Sequence, residues 1–130
     1  MAHNIKPIPT ADYDAVIATV TKYVTGLKTG DNALLAQAFH KDATMYGYTG
    51  VGTETLAGPI SNLYDFVNQF GAAPSIRTRL DVLSITPTTA VVKVDMEQDA
   101  AGADYTDFHT LIKMEGRWQI IAKVFHKYGW

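Results

Sequence analysis

The sequence predicts an α+β fold, with three N-terminal helices packed on one side of a curved, mostly antiparallel sheet. Two observations carry this expectation. Apolar residues recur at spacings of three and four in the first half of the chain, then alternate with a period of two after Pro74. Helices and strands thus fall into separate blocks, which segregates the helices to one face of the sheet. A long sheet closed on one side by helices makes a cone.

Taken in order, residues 1–9 contain Pro7 and Pro9 and form an extended lead-in. Thr10 suits an N-cap, with Asp12 and Asp14 in the positive first turn. Tyr13, Val16, Ile17, Val20, Tyr23, Val24 and Leu27 then make a helical stripe that Gly30 ends. Asp31 caps a second, short helix running through His40, with Leu34, Leu35, Ala38 and Phe39 buried. Asp42 to Thr49 is rich in strand formers. Gly50, Gly52 and Gly58 punctuate a short strand or irregular segment, and Pro59 opens a third helix that buries Ile60, Leu63, Tyr64, Val67 and Phe70. Strands Ile76 to Thr86 and Ala90 to Gln98 flank a Thr-Pro-Thr-Thr turn, and a small loop over 99–104 leads to a final hairpin turning at Glu115-Gly116.

Composition narrows the function classes. The chain has 130 residues, 47% hydrophobic and 18% charged, which suits one domain spanning 1–130. A net charge of −2 argues against nucleic acid and against an anionic membrane as partners. With no cysteine, disulfides, thiolate metal sites and cysteine nucleophiles are excluded. No run nears the ~20 apolar residues of a membrane span, and the N-terminus lacks the apolar core of a signal peptide, so the expected location is cytoplasmic.

The candidate site lies on the final hairpin. If Met114 faces Arg117, then Lys113 pairs with Trp118, Leu111 with Ile120, His109 with Ala122, Asp107 with Val124 and Tyr105 with His126. That face is apolar near the turn and ionisable away from it, the pattern of a small-molecule pocket with a greasy floor. Asp107 and His109 lie two apart on one strand, ~7 Å by strand geometry. They read either as an acid/base pair or as a buried polar network that satisfies only itself. Tyr105 and His126 line the mouth or cover a sheet end. Tyr23, on the buried stripe of its helix, needs a partner for its hydroxyl and is the candidate hydrogen-bond donor to a ligand. Tyr46 and Trp118 complete an aromatic lining. Pairing Ile85 with Ala90 would put Arg79 on the face of Val92, Val94 and Met96, within reach of an anionic group. Only Asp107, His109 and His126 converge, in no tight ligand motif, so neither metal nor cofactor is expected. The opposite hairpin face, with Phe108, Thr110, Ile112, Met114, Ile121 and Phe125, is too apolar for open water and reads as a homodimer surface.

Three stretches resemble a known superfamily: Tyr23-Val-Thr-Gly-Leu-Lys-Thr-Gly-Asp31, Leu35-Ala-Gln-Ala-Phe-His-Lys-Asp-Ala43 and Glu115-Gly-Arg-Trp-Gln-Ile-Ile121. They are similar to NTF2-like (SnoaL-like) domains, cone-shaped α+β proteins. The ending from Tyr105 to His126 resembles the family called "putative lumazine-binding". The resemblance implies the cone fold, its pocket and a homodimer. The superfamily includes ketosteroid-isomerase-like enzymes. By that comparison Tyr23 stands at an oxyanion-binding tyrosine and His109 near a second oxyanion donor, whereas Gly47 occupies the position of the catalytic aspartate base. The resemblance therefore implies a scaffold without that base. Three readings follow: a binder of a small, partly apolar organic molecule in an enclosed, partly aromatic pocket; a cofactor-free isomerase, dehydratase or hydrolase using Asp107 and His109 for proton transfer; or a dimerising accessory domain with a vestigial pocket.

Overall fold

The computed structural model describes residues 3–49 and 54–129; Gly50 and Gly52 lie outside the described residues. Helices α1 (Thr10–Thr29), α2 (Asn32–Ala38) and α3 (Ser61–Phe70) pack on one face of a six-stranded sheet. Its strands are β1 (Phe39–Tyr48), β2 (Thr55–Pro59), β3 (Arg77–Ile85), β4 (Thr89–Glu97), β5 (Tyr105–Met114) and β6 (Arg117–Lys127), ordered β2-β1-β6-β5-β4-β3. Only β1 and β6 run parallel. This is the α+β cone the sequence predicts. No described helix is long and apolar enough to cross a membrane.

Local chemistry explains most element ends. Pro9, not Thr10, holds the α1 N-cap position, with extended backbone and no side-chain cap bond. Gly30 ends α1 at φ 69°, where a Cβ would be strained, and its N–H returns to the Gly26 carbonyl. Asp31 caps α2 by accepting the Leu34 N–H at 3.1 Å. The second helix stops at Ala38, short of His40, because Phe39 already pairs with Ile120 in the sheet. Glu115 and Gly116 have φ of 53° and 75°, the conformation of a two-residue hairpin turn.

The core is the contact between the helical stripes and the inner sheet face. Val16, Val20 and Tyr23 of α1 and Leu35 of α2 meet Val92, Val94, Leu111 and Ile120, all fully or nearly fully buried. Each aliphatic side chain so buried stabilises the fold by roughly 1.5–3 kcal/mol.

Two bulges decide what else faces inward. In the final hairpin, Met114–Arg117, Lys113–Trp118 and Leu111–Ile120 pair as the turn dictates, but Thr110 then pairs with Ala122, leaving Ile121 as an extra residue. Beyond it His109 faces Lys123, Asp107 faces Phe125 and Tyr105 faces Lys127. The expected partners Ala122, Val124 and His126 are thereby corrected, since one inserted residue reverses the faces of the rest of β6. In β3 the step from Val82–Val92 to Ser84–Val91 leaves Leu83 extra. Arg79 consequently pairs with Asp95 on the outer face and holds Asp81 at 2.9 Å, away from Val92, Val94 and Met96.

Candidate active site

A cavity of about 310 Å³ opens between α3, the C-terminal half of α1 and the inner sheet face. Its walls are mainly apolar, from Leu27, Met45, Leu63, Phe66, Met96 and Phe125. The volume is at the small end of the ~300–1,000 Å³ usual for ligand pockets, so its occupant is modest in size. Polar groups on the wall are few. Tyr23 comes from α1, Thr49 from just after β1, Asn62 from α3, Tyr105 from β5, Lys123 and Lys127 from β6, and Asp99 from the β4–β5 loop.

Tyr23 and Tyr105 are therefore placed on the cavity wall. Tyr23 is buried, and its hydroxyl donates a 2.6 Å hydrogen bond to Asp107 Oδ2. Its ring lies against those of Phe39 and His109, at 5.5 and 4.6 Å between centroids. Burial, then the Asp107 carboxylate, push the Tyr23 hydroxyl well above the usual phenol range. Tyr105 is raised too, by burial and by the Asp99 carboxylate beside it.

Asp107 and His109 come together but lie beneath the wall. Both are fully buried, with His109 Nε2 3.3 Å from Asp107 Oδ2, and neither lines the cavity. Neither side chain is on the cavity wall where a bound molecule was expected to meet it; Asp107 adjoins the wall through its hydrogen bond from Tyr23. Burial pushes the Asp107 carboxyl up. The Lys123 charge and the hydrogen bonds from His109 and Tyr23 outweigh it and hold the group below the ordinary carboxylate range. Burial lowers His109 although Asp107 opposes it, so the ring is neutral at pH 7. The Nε2–H tautomer then fits best, donating to the carboxylate. Asp107 Oδ1 and His109 Nδ1 are buried without hydrogen-bond partners among the described residues, the sort of exception that calls for a functional reason.

Tyr46 and His126 are not in the site. Tyr46 is on the outer face of β1 and half exposed, because Met45 takes the inward position. His126 is turned outward by the Ile121 bulge and stacks between Tyr48 and Tyr128 on the surface. Trp118 is buried in the core near the turn, away from the cavity wall. Among the described residues no three His, Cys, Asp or Glu side chains gather as metal ligands would.

Lys123 is the residue that sequence reasoning missed. It is 4% exposed, between Met45 of β1 and His109 of β5 in the sheet register. Its ammonium sits 4.2 Å from the centre of the Phe125 ring, and no carboxylate closes an ion pair on it among the described residues. Burial lowers its pKa, partly opposed by Asp107. The sequence held no clear signal of it, since Ala122 and Val124 continue the apolar phase of Trp118 and Ile120; only the burial pattern, which reappears at Phe125, reveals the step of a bulge.

Gly47 explains why an aspartate base is missing. It pairs with Phe125, and a Cβ built on it would stand 2.2 Å from the Phe125 carbonyl oxygen and 2.5 Å from its ring. Phe125, an inward residue after the bulge, occupies the space that a side chain at 47 would need.

A family profile described as "Putative lumazine-binding" matches residues 11–126. A relative named aldolase FrzH, from Cladobotryum sp., is 44% identical over 123 residues, covering 95% of this chain and 97% of that protein. Two crystal structures of NTF2-like proteins of unknown function superpose closely. That from Shewanella baltica has TM-score 0.86 and 28% identity, covering 96% of this chain and 100% of that one. That from Methylobacillus flagellatus has TM-score 0.85 and 31% identity, covering 94% and 96%.

Proposed function

We propose, for a chain that belongs to the "Putative lumazine-binding" family of NTF2-like proteins, that it binds a small, largely apolar carbonyl compound and makes or breaks a carbon–carbon bond beside that carbonyl, in an aldol-type reaction. The fold alone would not carry this reading, because one fold hosts many chemistries. The observation that carries it is the Tyr23 hydroxyl. Its own proton is committed inward to Asp107. The lone pairs of the same oxygen are therefore left to accept a proton from a molecule in the cavity, while its proton passes to Asp107. That is a general base with a built-in acceptor. His109, neutral and hydrogen-bonded to the same carboxylate oxygen, orients it.

The apolar wall supports the same reading. It excludes water from a reactive carbanion equivalent and strengthens every electrostatic contact within. The name of the Cladobotryum relative agrees with this chemistry. Steroid-type isomerisation from position 47 is disfavoured, because Phe125 fills that space.

The test is α-hydrogen exchange. Small apolar ketones incubated with the protein in D2O should gain deuterium beside the carbonyl, and paired aldehydes should yield condensation products. Tyr23→Phe should slow both by ~10²–10⁴-fold. Ketones that bind, by thermal shift, yet show no exchange and no new bond would overturn the reading in favour of simple binding.

A further inference from the structure

We propose that the Lys123 ε-amine captures the substrate's carbonyl carbon as an imine, making Lys123 the covalent catalytic residue of the cavity. This rests on the aldol reading above and deepens it, by naming an aldehyde or ketone as the ligand class and Lys123 as its point of attachment.

Four observations lead there. Lys123 is buried, whereas lysines are almost never fully buried unless paired. It lines the cavity, so a bound molecule can reach it. Its surroundings there are apolar, with the Phe125 ring at 4.2 Å and Met45 beside it in the sheet. No carboxylate among the described residues closes on it to hold it as a permanent ammonium. A desolvated amine of this kind gives up its proton more readily than a solvated lysine, which is how lysine becomes a nucleophile toward carbonyls. Burial lowers its pKa in the required direction. Asp107, near enough to raise that pKa, then balances the positive charge that appears when the imine is protonated.

The steps balance. The amine lone pair adds to the carbonyl carbon, and the C=O pair moves to oxygen, which takes a proton. That first proton comes from the amine nitrogen; a second, from solvent, lets the hydroxyl leave as water and gives a protonated imine, and this solvent proton is returned when the imine is hydrolysed. In the cleavage direction, the proton of the substrate's β-hydroxyl passes to Tyr23 Oη while Tyr23 gives its own to Asp107 Oδ2. The O–H pair becomes the new C=O, the Cα–Cβ bond breaks, and its electrons form an enamine that neutralises the nitrogen. The enamine carbon takes back a proton, and one water hydrolyses the imine and frees Lys123. The water released at capture equals the water consumed at release, and no oxidant or reductant enters. Bond formation is the reverse.

The experiment uses the full chain and two probes. The first is 1-phenylbutane-1,3-dione, an apolar diketone that forms a stable enaminone with free amines. The second is a small apolar ketone reduced in place with cyanoborohydride. Peptide mass spectrometry should find one adduct, on Lys123, at a tenth or less of the probe concentration that labels the exposed Lys22 or Lys28. Lys123→Met should lose it, and Lys28→Met should not. If Lys123→Met fails to fold, the wild-type adduct map alone decides, since labelling spread over surface lysines overturns the proposal. Exchange of α-hydrogens that proceeds with no adduct at Lys123, and persists in Lys123→Arg, overturns the imine while leaving the aldol reading intact. An adduct on Lys123 without exchange or bond formation supports covalent capture and sinks the aldol reading instead.

Discussion

Tyr23 and Asp107, eighty-four residues apart in sequence, are joined by a 2.6 Å hydrogen bond inside the core. The bond ties α1 to β5 and places a proton acceptor directly behind a side chain of the cavity wall. Removing the hydroxyl tests both roles. Tyr23→Phe keeps the ring contacts with Phe39 and His109 but loses a bond to a charged group, which is worth about 1.5–3 kcal/mol. Urea unfolding at pH 7 should show a loss of that order with an unchanged m-value. It should also show a shallower loss of stability on acidification than in the wild type, because one of the contacts that hold Asp107 below its unfolded-state range is gone.

His109 makes the fold acid-sensitive. Its folded-state pKa is lowered from 6.5 by burial. The unfolded chain therefore binds its proton first, and the stability associated with the neutral ring is present above 6.5 and lost as pH falls through the lowered value. Asp107, lowered from 3.8, adds a second loss in the same direction at lower pH. Thermal melts across this range should show Tm declining below pH 6.5. His109→Gln, which retains a donor to Asp107, should flatten the first decline and leave the second.

Gly47 should not tolerate a side chain. Gly47→Ala forces a Cβ against the Phe125 backbone oxygen, which cannot give way as a side chain could. Overpacking of this kind costs roughly 1–3 kcal/mol or more. Gly47→Asp should be at least as destabilising, adding a carboxylate near a buried ring. Neither should gain steroid-type isomerase activity, a point checked by comparing melting temperature with turnover of a β,γ-unsaturated ketone.

These residues show what is legible in a sequence of this kind. Helical stripes, the Gly30 stop, the Glu115-Gly116 turn and the first pairs of the final hairpin follow from local rules, and with them the α+β cone. The pairing of β5 with β6 also brought Asp107 and His109 to one inward face. What local rules do not carry is the bulge. Ile121 and Leu83 look like ordinary strand residues, yet each reverses every side chain beyond it. Through the bulge at Ile121 Lys123 and Phe125 turned into the cavity and His126 turned out, and through the one at Leu83 Arg79 went to the solvent face. Depth was equally hidden, since periodicity places a residue on a face but not in front of or behind its neighbour. Asp107 and His109 share the inner face with Tyr105, yet only Tyr105 meets the cavity.

The outer sheet face is the surface on which a second copy is expected. Tyr46, Tyr48, Phe108, Val124 and Tyr128 are each 43–52% exposed there. So many apolar side chains on one face are unusual for a lone domain. Sedimentation at micromolar concentration should give the mass of a dimer. Val124→Glu combined with Phe108→Glu should shift it to the monomer without changing the cavity behind the sheet.

The charge of Asp107 should be readable at Lys123. Burial lowers the lysine, while Asp107, and more weakly Asp99, raise it. Asp107→Asn removes the nearer negative charge and keeps an oxygen to accept from Tyr23, so packing changes little. With that raising influence gone, the amine loses its proton at a lower pH than in the wild type. Labelling of Lys123 by the diketone, followed as a rate against pH, should therefore reach its plateau at lower pH in Asp107→Asn. The substitution should at the same time slow α-hydrogen exchange, because Tyr23 can no longer pass its proton to a carboxylate. A labelling profile unmoved by the substitution would mean that Asp107 does not act on Lys123 and serves only Tyr23 and His109. A profile moved to higher pH would contradict the electrostatic sign outright.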